Sequence, residues 1–499
     1  MKPSIYQEAI FDFVKNGSGS AVVEAVAGSG KTTTVLASLK LIPKNQSVLL
    51  LAFNKSIADE LKKKAPEHVD VKTFNGYGHR ILCQQFGKIN LEANKMRKIV
   101  REVMDGYDYG EFGEHVLALV NYAKRMGILP DGIRGMSLLP DTDETWNNLI
   151  DRFGIAIRSS DRHMAINYAK QCIVKSLNMV TTQNIVDFDD QIYIPIVKSF
   201  TGDTYDWVFV DEAQDMSLIR SAMVKMAVKP NGRVIAVGDI SQAIYGFTGA
   251  DSESLNNFKK DFNAISLPLS ISYRCAKKVV AEAKRIVPHI EAFESAPDGE
   301  IKRFEDKFSL TDFKGGDMIL CRRNAPVVSL AFKLIKAGIP AKILGRDIST
   351  GLIKLIESLK PKGIHGSHGL VEKLSAWRLK EVNKWNNEDR PDMVEMINDK
   401  NGCILAIINK STVNTVPDLI RDIESLFSDD VNNTRSVILC SIHKAKGLEA
   451  ETVYFLDRDL IPSKFARQSW EFEQENNLIY VGVTRAKHNL NYIYSDRII

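Results

Sequence analysis

Six cysteines occur in 499 residues, at positions 83, 172, 275, 321, 403 and 440, and no two stand in a C-x-x-C pair. That scatter suggests neither a zinc site nor a redox dithiol and suits a reducing cytosol. Long apolar runs are missing: Val48-Leu49-Leu50-Leu51-Ala52-Phe53 is among the longest, far short of the ~20 residues a membrane span needs. The N-terminus, MKPSIYQEAI, lacks the apolar stretch of a secretory signal. No membrane partner is therefore expected, and the expected location is cytoplasmic. An excess of one charge is missing too. With 66 Lys+Arg against 62 Asp+Glu the net charge is +4, so any surface for a polyanion must be local rather than global. Low-complexity tracts and internal repeats are absent. A hydrophobic share of 44% excludes wholesale disorder, and the length implies roughly three domains.

What is present is a recurring rhythm. Short apolar, β-rich runs at 21–23, 48–53, 207–210, 234–237, 318–320, 437–439 and 453–456 alternate with helix-like stretches. Continuous apolar strands between helices predict parallel sheets buried on both faces, an α/β fold. Two regions break the rhythm. Residues 84–183 are mostly helix-like, and residues 347–433 mix helical and polar stretches around Gly363-Ile364-His365-Gly366-Ser367-His368. Both read as insertions into α/β cores.

The sharpest local signal is Ala25-Val26-Ala27-Gly28-Ser29-Gly30-Lys31-Thr32, which follows a β-like run and opens a helix-like one. This is the setting of a phosphate-binding loop. Gly28 and Gly30 let the backbone curl so that the N–H groups of Ala27, Gly28, Ser29, Gly30, Lys31, Thr32 and Thr33 face phosphate oxygens, aided by the helix N-terminus. Lys31 can reach the β- and γ-phosphates, and Thr32 offers a hydroxyl to Mg²⁺. Ala25 stands where the general pattern has its first glycine.

Such a loop needs a carboxylate strand. Trp207-Val208-Phe209-Val210 leads directly into Asp211-Glu212-Ala213-Gln214-Asp215. Asp211, leaving a buried strand, can hold Mg²⁺ through water, and Glu212 can orient or deprotonate the attacking water. Gln242 follows a β-like run that ends at Gly238-Asp239, where a neutral amide can sense a γ-phosphate.

With these segments in order, the sequence resembles the UvrD/Rep/PcrA-like superfamily-one DNA helicases from Gln7 to about Tyr494. The resemblance includes Thr73-Phe74-Asn75-Gly76-Tyr77-Gly78-His79-Arg80 and Gly238-Asp239-Ile240-Ser241-Gln242-Ala243-Ile244-Tyr245-Gly246-Phe247. It continues through Ser272-Tyr273-Arg274, His443-Lys444-Ala445-Lys446-Gly447-Leu448-Glu449 and Tyr480-Val481-Gly482-Val483-Thr484-Arg485-Ala486. A phosphate loop alone is common to many nucleotide enzymes; these strings in this order are specific.

The resemblance implies two RecA-like P-loop NTPase cores with mainly helical accessory insertions, and ATP between the cores. The first core would be 1–83 with 184–263, interrupted by a helical insertion at 84–183. The second would be 264–346 with 434–499, interrupted by a reduced insertion at 347–433. Gln7 would read the adenine edge, Tyr273 would stack on the ring, and Glu449 beside Gly447 would contact the ribose. Arg274 and Arg485 would stabilise the transferring phosphoryl group, Arg485 as the arginine finger. Phe53, Asn54, Thr73, Asn75, Tyr245, Phe247 and His443 would line a track for single-stranded DNA. The segment Val186-Asp187-Phe188-Asp189-Asp190 would join the helical insertion to the first core. The implied activity is ATP-dependent, 3′→5′ travel on single-stranded DNA with unwinding at single-strand/duplex junctions. Stripping of bound proteins with little unwinding is the alternative. ATP and Mg²⁺ are the implied cofactors and an accessory loading protein an implied partner, with DNA favoured over RNA as the track. The sequence ends just after its final β-like run, so no appended nuclease domain is expected.

Overall fold

The computed structural model describes residues 2–105, 109–244, 254–388, 391–410, 414–428, 435–464, 466 and 469–499. The chain divides into two compact units, Met1–Ser270 and Ile271–Ile499. Among the described residues no helix is long and apolar enough to cross a membrane.

The first unit is built on six parallel strands in the order Val69–Thr73, Val48–Ala52, Tyr205–Val210, Val228–Gly238, Ala21–Ala25 and Ile265–Leu269. Successive side chains on a strand point to opposite faces, and here both faces are apolar. Val22, Leu49, Leu51, Val208 and Val210 face one core, while Val23, Leu50, Ala52, Phe209 and Val237 face the other. That is why these strands read as unbroken apolar runs rather than alternating ones. Helices Ile5–Asn16, Lys31–Leu39 and Lys55–Lys64 cover the second face. The helix-rich stretch covers the first, through Ile99, Val116, Trp146 and Ile173, which share a single apolar cluster with the strands.

Among the described residues the second unit carries a sheet of seven parallel strands: Glu300–Arg303, Ala486–Ile493, Ala450–Leu456, Met318–Cys321, Val437–Ser441, Ala341–Leu344 and Phe427–Ser428. Helices Asn324–Lys336, Pro391–Lys410 and Val416–Leu426 pack against one face of this sheet, with Ile404, Ile407 and Leu419 in the same cluster as Ile319 and Leu439.

Two boundaries differ from expectation. Residues 264–346 were expected in the second core, yet Ile265–Leu269 pairs with Ala21–Ala25 as an edge strand of the first sheet. Pro268 disguises it, because proline lacks a ladder donor and is tolerated only where one side is unpaired. Similarly, the stretch 347–433 is not separate from the second sheet: Phe427 and Ser428 pair with Ile343 and Leu344. A two-residue strand carries too little periodicity to be read from sequence.

Candidate functional site

Ligands of parallel sheets gather outside the carboxyl ends of the strands, and the first unit places its chemistry there. Ala21–Ala25 feeds the loop 26–30, and Gly28 (φ 71°) and Gly30 (φ 79°) both take left-handed backbone that a side chain would strain. The helix Lys31–Leu39 starts at Gly30 with no side-chain cap, which leaves its first N–H groups for an anion. Ser29 is 1% exposed and its Oγ has no hydrogen-bond partner. A buried hydroxyl without a partner is costly, and a phosphate oxygen would satisfy it. Gln7 caps the first helix together with Ser4 and donates from Nε2 to Thr34 Oγ1 at 3.0 Å, which brings it against the loop. Thr32 and Thr33 stand exposed on the first turn of the loop helix.

Asp211 and Glu212 leave the end of Tyr205–Val210. Glu212 sits at φ 51°, a strained conformation for a residue with a side chain and one found disproportionately at functional sites. Its carboxylate lies 3.3 Å from Lys31 Nζ. Burial works to lower the Lys31 pKa, but the carboxylates of Glu212, Asp239 and Asp211 outweigh it, so the ammonium is held charged. Burial, reinforced by the Glu212 charge, pushes the Asp211 carboxyl up to about 6. Burial likewise raises Asp239, against the pull of Lys31. Gln242 donates from Nε2 to Asp239 Oδ2 at 2.6 Å. Gln214, to which sequence reasoning gave no role, is fully buried; its amide donates to Glu212 while its Oε1 accepts from Asp239 N at 3.0 Å. It ties the two carboxylate-bearing strand ends together.

The residues fit a magnesium nucleotide on three counts: a glycine cradle, an orphaned hydroxyl facing no acceptor, and a lysine already drawn to a cluster of carboxylates. Thr32 would offer its hydroxyl to the metal and Asp211 would hold it through water, with the nucleotide phosphates supplying further oxygens.

Further along the same edge, Val48–Ala52 delivers Phe53 and Val69–Thr73 delivers Thr73. Asn54 and Thr73 cap the helices that follow, accepting from Ile57 N at 2.9 Å and Gly76 N at 2.9 Å. Phe53 and Asn75 line a cavity of about 500 Å³ together with Arg125, Phe188, Asp215, Ser217 and Arg220. Arg220 lies 4.7 Å from the Phe53 ring centroid and 5.6 Å from that of Phe74, a cation–π arrangement. Asn75 donates from Nδ2 to Phe188 O at 2.6 Å and to Gln191 Oε1 at 3.1 Å. Sequence reasoning missed Arg220 and left Phe188 as a connector. Neither carried a signal in its own stretch of sequence, because each is placed by partners far along the chain: Asn75 for Phe188, and Phe53 and Phe74 for Arg220. Tyr245 and Phe247 lie outside the described residues.

In the second unit the expected nucleotide residues gather at the amino ends of Ala450–Leu456 and Ala486–Ile493. Arg274 Nε lies 2.6 Å from Glu449 Oε2, and Lys487 Nζ lies 3.1 Å from Glu449 Oε1. Arg485, 1% exposed, donates to Val481 O at 2.9 Å, Leu448 O at 3.0 Å and Thr484 Oγ1 at 3.2 Å. Tyr273 packs against Phe293 with ring centroids 4.9 Å apart. His443 is set apart from this group, just past the carboxyl end of Val437–Ser441. Burial, with Arg322 beside it, pushes its pKa down to about 3, so the ring is neutral. Because the sheet is parallel, the segment from Ile442 to Glu449 must run from the carboxyl ends of the strands back to their amino ends, with His443 and Glu449 near its two ends.

The sequence matches the model of the UvrD/REP helicase N-terminal domain over residues 7–263 and that of the UvrD-like helicase C-terminal domain over residues 380–497. Relatives include a probable DNA helicase II homolog of Mycoplasma capricolum, 21% identical with 94% of this chain and 81% of the relative covered. A probable DNA helicase II homolog of Rickettsia felis is 20% identical, with 97% and 91% covered. The ATP-dependent DNA helicase Rep of Buchnera aphidicola is 20% identical, with 96% and 93% covered. The two parallel sheets are accordingly RecA-like P-loop cores, and the chain belongs to the UvrD/REP helicase family.

Proposed function

We propose that the chain is an ATP-driven motor that moves 3′→5′ along single-stranded DNA and separates duplex DNA ahead of it. The observation that carries this reading is a shared segment. Asp211 and Glu212 face the phosphate loop, and Asp215, Ser217 and Arg220, a few residues on, line the aromatic cavity. One short stretch of backbone thus belongs to both candidate sites, and through it occupation of the cavity would be coupled to the geometry of Glu212.

Lys31 would hold the β- and γ-phosphates, and Thr32 and Asp211 would hold Mg²⁺. The metal would neutralise charge on the phosphates. Glu212, released when Lys31 turns to phosphate, would direct the attacking water and take its proton. Gln242 would report the γ-phosphate, and Arg274 and Arg485 would supply the positive charge that the transferring group requires. Gln7, Tyr273 and Glu449 would hold the nucleoside. Phe53 and Phe188 offer π-faces to unpaired bases, which every base can use, so binding would be indifferent to sequence. Asn54, Thr73, Asn75 and His443 would meet the backbone. The family's use of DNA supports DNA rather than RNA as track.

A second reading, translocation that strips proteins with little unwinding, is favoured by one observation. The helices within 347–433 pack into the second core instead of forming a core of their own. The alignments with the Mycoplasma and Rickettsia relatives run over 600 and 619 residues, so those proteins carry internal segments this chain lacks. Partial duplexes with a 3′ or a 5′ single-stranded tail separate the readings. Displacement from the 3′-tailed substrate alone is expected. Rapid ATP use with no displacement from either favours stripping, and displacement from the 5′-tailed substrate alone overturns the polarity.

A further inference from the structure

We infer that four buried charges, Lys95, Lys124, Asp187 and Asp190, are positioning residues that hold Phe188 at the cavity beside Phe53; the inference rests on the single-strand track proposed above. Lys124 Nζ lies 2.9 Å from Asp187 Oδ2 and 2.7 Å from Asp190 Oδ1. Lys95 Nζ lies 2.6 Å from Asp190 Oδ2 and donates to Ser176 O at 2.9 Å. Ser176 Oγ donates to Asp190 Oδ1 at 3.2 Å. The two aspartates also close the tetrapeptide on itself, Asp190 N donating to Asp187 Oδ1 at 2.7 Å and Asp187 N to Asp190 Oδ2 at 3.0 Å. Lys95 and Asp190 are 0% exposed and Lys124 is 1% exposed.

Stability does not account for such a cluster, because well-packed apolar side chains of similar volume commonly serve as well or better. Apolar packing is tolerant of small rotations, however, and a set of directed hydrogen bonds is not. Between the pinned aspartates Phe188 stands 53% exposed. The flanks are braced as well. Asn75 holds the Phe188 carbonyl, and Arg125 Nε lies 3.4 Å from Asp189 Oδ1. Helix Phe74–Phe86 approaches helix Asp190–Val197, which follows the segment directly, so closely that a Cβ on Gly78 would lie 1.8 Å from Gln191 O. An exposed ring on a segment fixed from three directions is a preorganised stacking surface.

The test is a double-variant cycle in the full chain. The half-saturating concentration of a single-stranded oligothymidylate for stimulating ATP turnover is measured for the unaltered chain, Lys124→Met, Phe188→Ala and the pair. Phe188→Ala should raise it about tenfold, the loss of one stacked base. Lys124→Met should raise it comparably, leaving turnover without DNA and the KM for ATP unchanged. The pair should be no worse than Phe188→Ala alone, because both act through one ring. Effects that multiply in the pair overturn the inference. Hydrogen exchange of residues 185–192 without DNA is the second readout: faster exchange in Lys124→Met supports the pinning, and unchanged exchange overturns it. Should Lys124→Met fail to fold, Ser176→Ala serves instead, with a smaller rise and the same non-additivity expected. If the unaltered chain shows no stimulation by DNA, the motor reading fails, and the exchange result still decides whether the cluster pins this segment.

Discussion

Lys31 Nζ lies 3.3 Å from Glu212 Oε1, so the candidate phosphate ligand and the candidate base neutralise one another in this structure. A triphosphate competes for the same ammonium. Its arrival would break the pair and leave Glu212 facing the γ-phosphate, which makes activation of the base a consequence of substrate binding.

Glu212→Gln keeps the shape of the side chain and removes its basicity. Turnover should fall by about 10²–10⁴-fold, the usual worth of a positioned general base, with ATP affinity retained. Lys31→Ala should lose affinity as well. Equilibrium nucleotide binding and steady-state hydrolysis, measured side by side, check the distinction.

Asp211 gives a pH signature. Its carboxyl is held at about 6 against an ordinary 3.8, mainly by burial. Between those values the folded state binds more protons than the unfolded chain, so this group's contribution makes stability fall as pH rises from about 4 to about 6. The loss is on the order of 2–3 kcal/mol. Asp211→Asn should therefore raise the melting temperature at pH 7 without nucleotide, flatten that part of the pH profile, and abolish turnover. Denaturant melts at pH 4, 5, 6 and 7 for both proteins test it.

Ser29 Oγ is buried without an acceptor or donor. Replacing Ser29 by Ala should stabilise the chain by about 1 kcal/mol, the cost of an unsatisfied hydroxyl, while weakening ATP binding. Urea melts with and without Mg-ATP should show the gain without nucleotide and a smaller nucleotide-induced shift.

These features were legible in sequence to unequal degrees, for a physical reason. The phosphate loop, Asp211, Glu212 and Gln242 sit directly after apolar strands, and a strand buried on both faces is a local signal. Phe188, Arg220 and Gln214 owe their placement to contacts between segments far apart in the chain, which no window of sequence displays. Lys95 and Lys124 lie on helices, and only the packing of those helices against the rest of the first unit buries them. Pro268 hid the edge strand Ile265–Leu269 for a third reason, since proline argues against a strand everywhere except at an edge.

Arg220 should behave as part of the track. Arg220→Ala removes the cation stacked on Phe53 and should weaken single-stranded DNA binding about tenfold, within the range of one stacking contact, with the KM for ATP unchanged. Affinity of the unaltered chain should fall linearly with salt on logarithmic axes as counterions are released. Fluorescence anisotropy of a labelled oligonucleotide across a salt series checks both.

ATP turnover with and without single-stranded DNA tests most directly whether the two ends of the 211–220 segment act together. Turnover should rise at least about tenfold with DNA and vanish in Lys31→Ala. Equal rates with and without DNA in the unaltered chain would contradict that coupling.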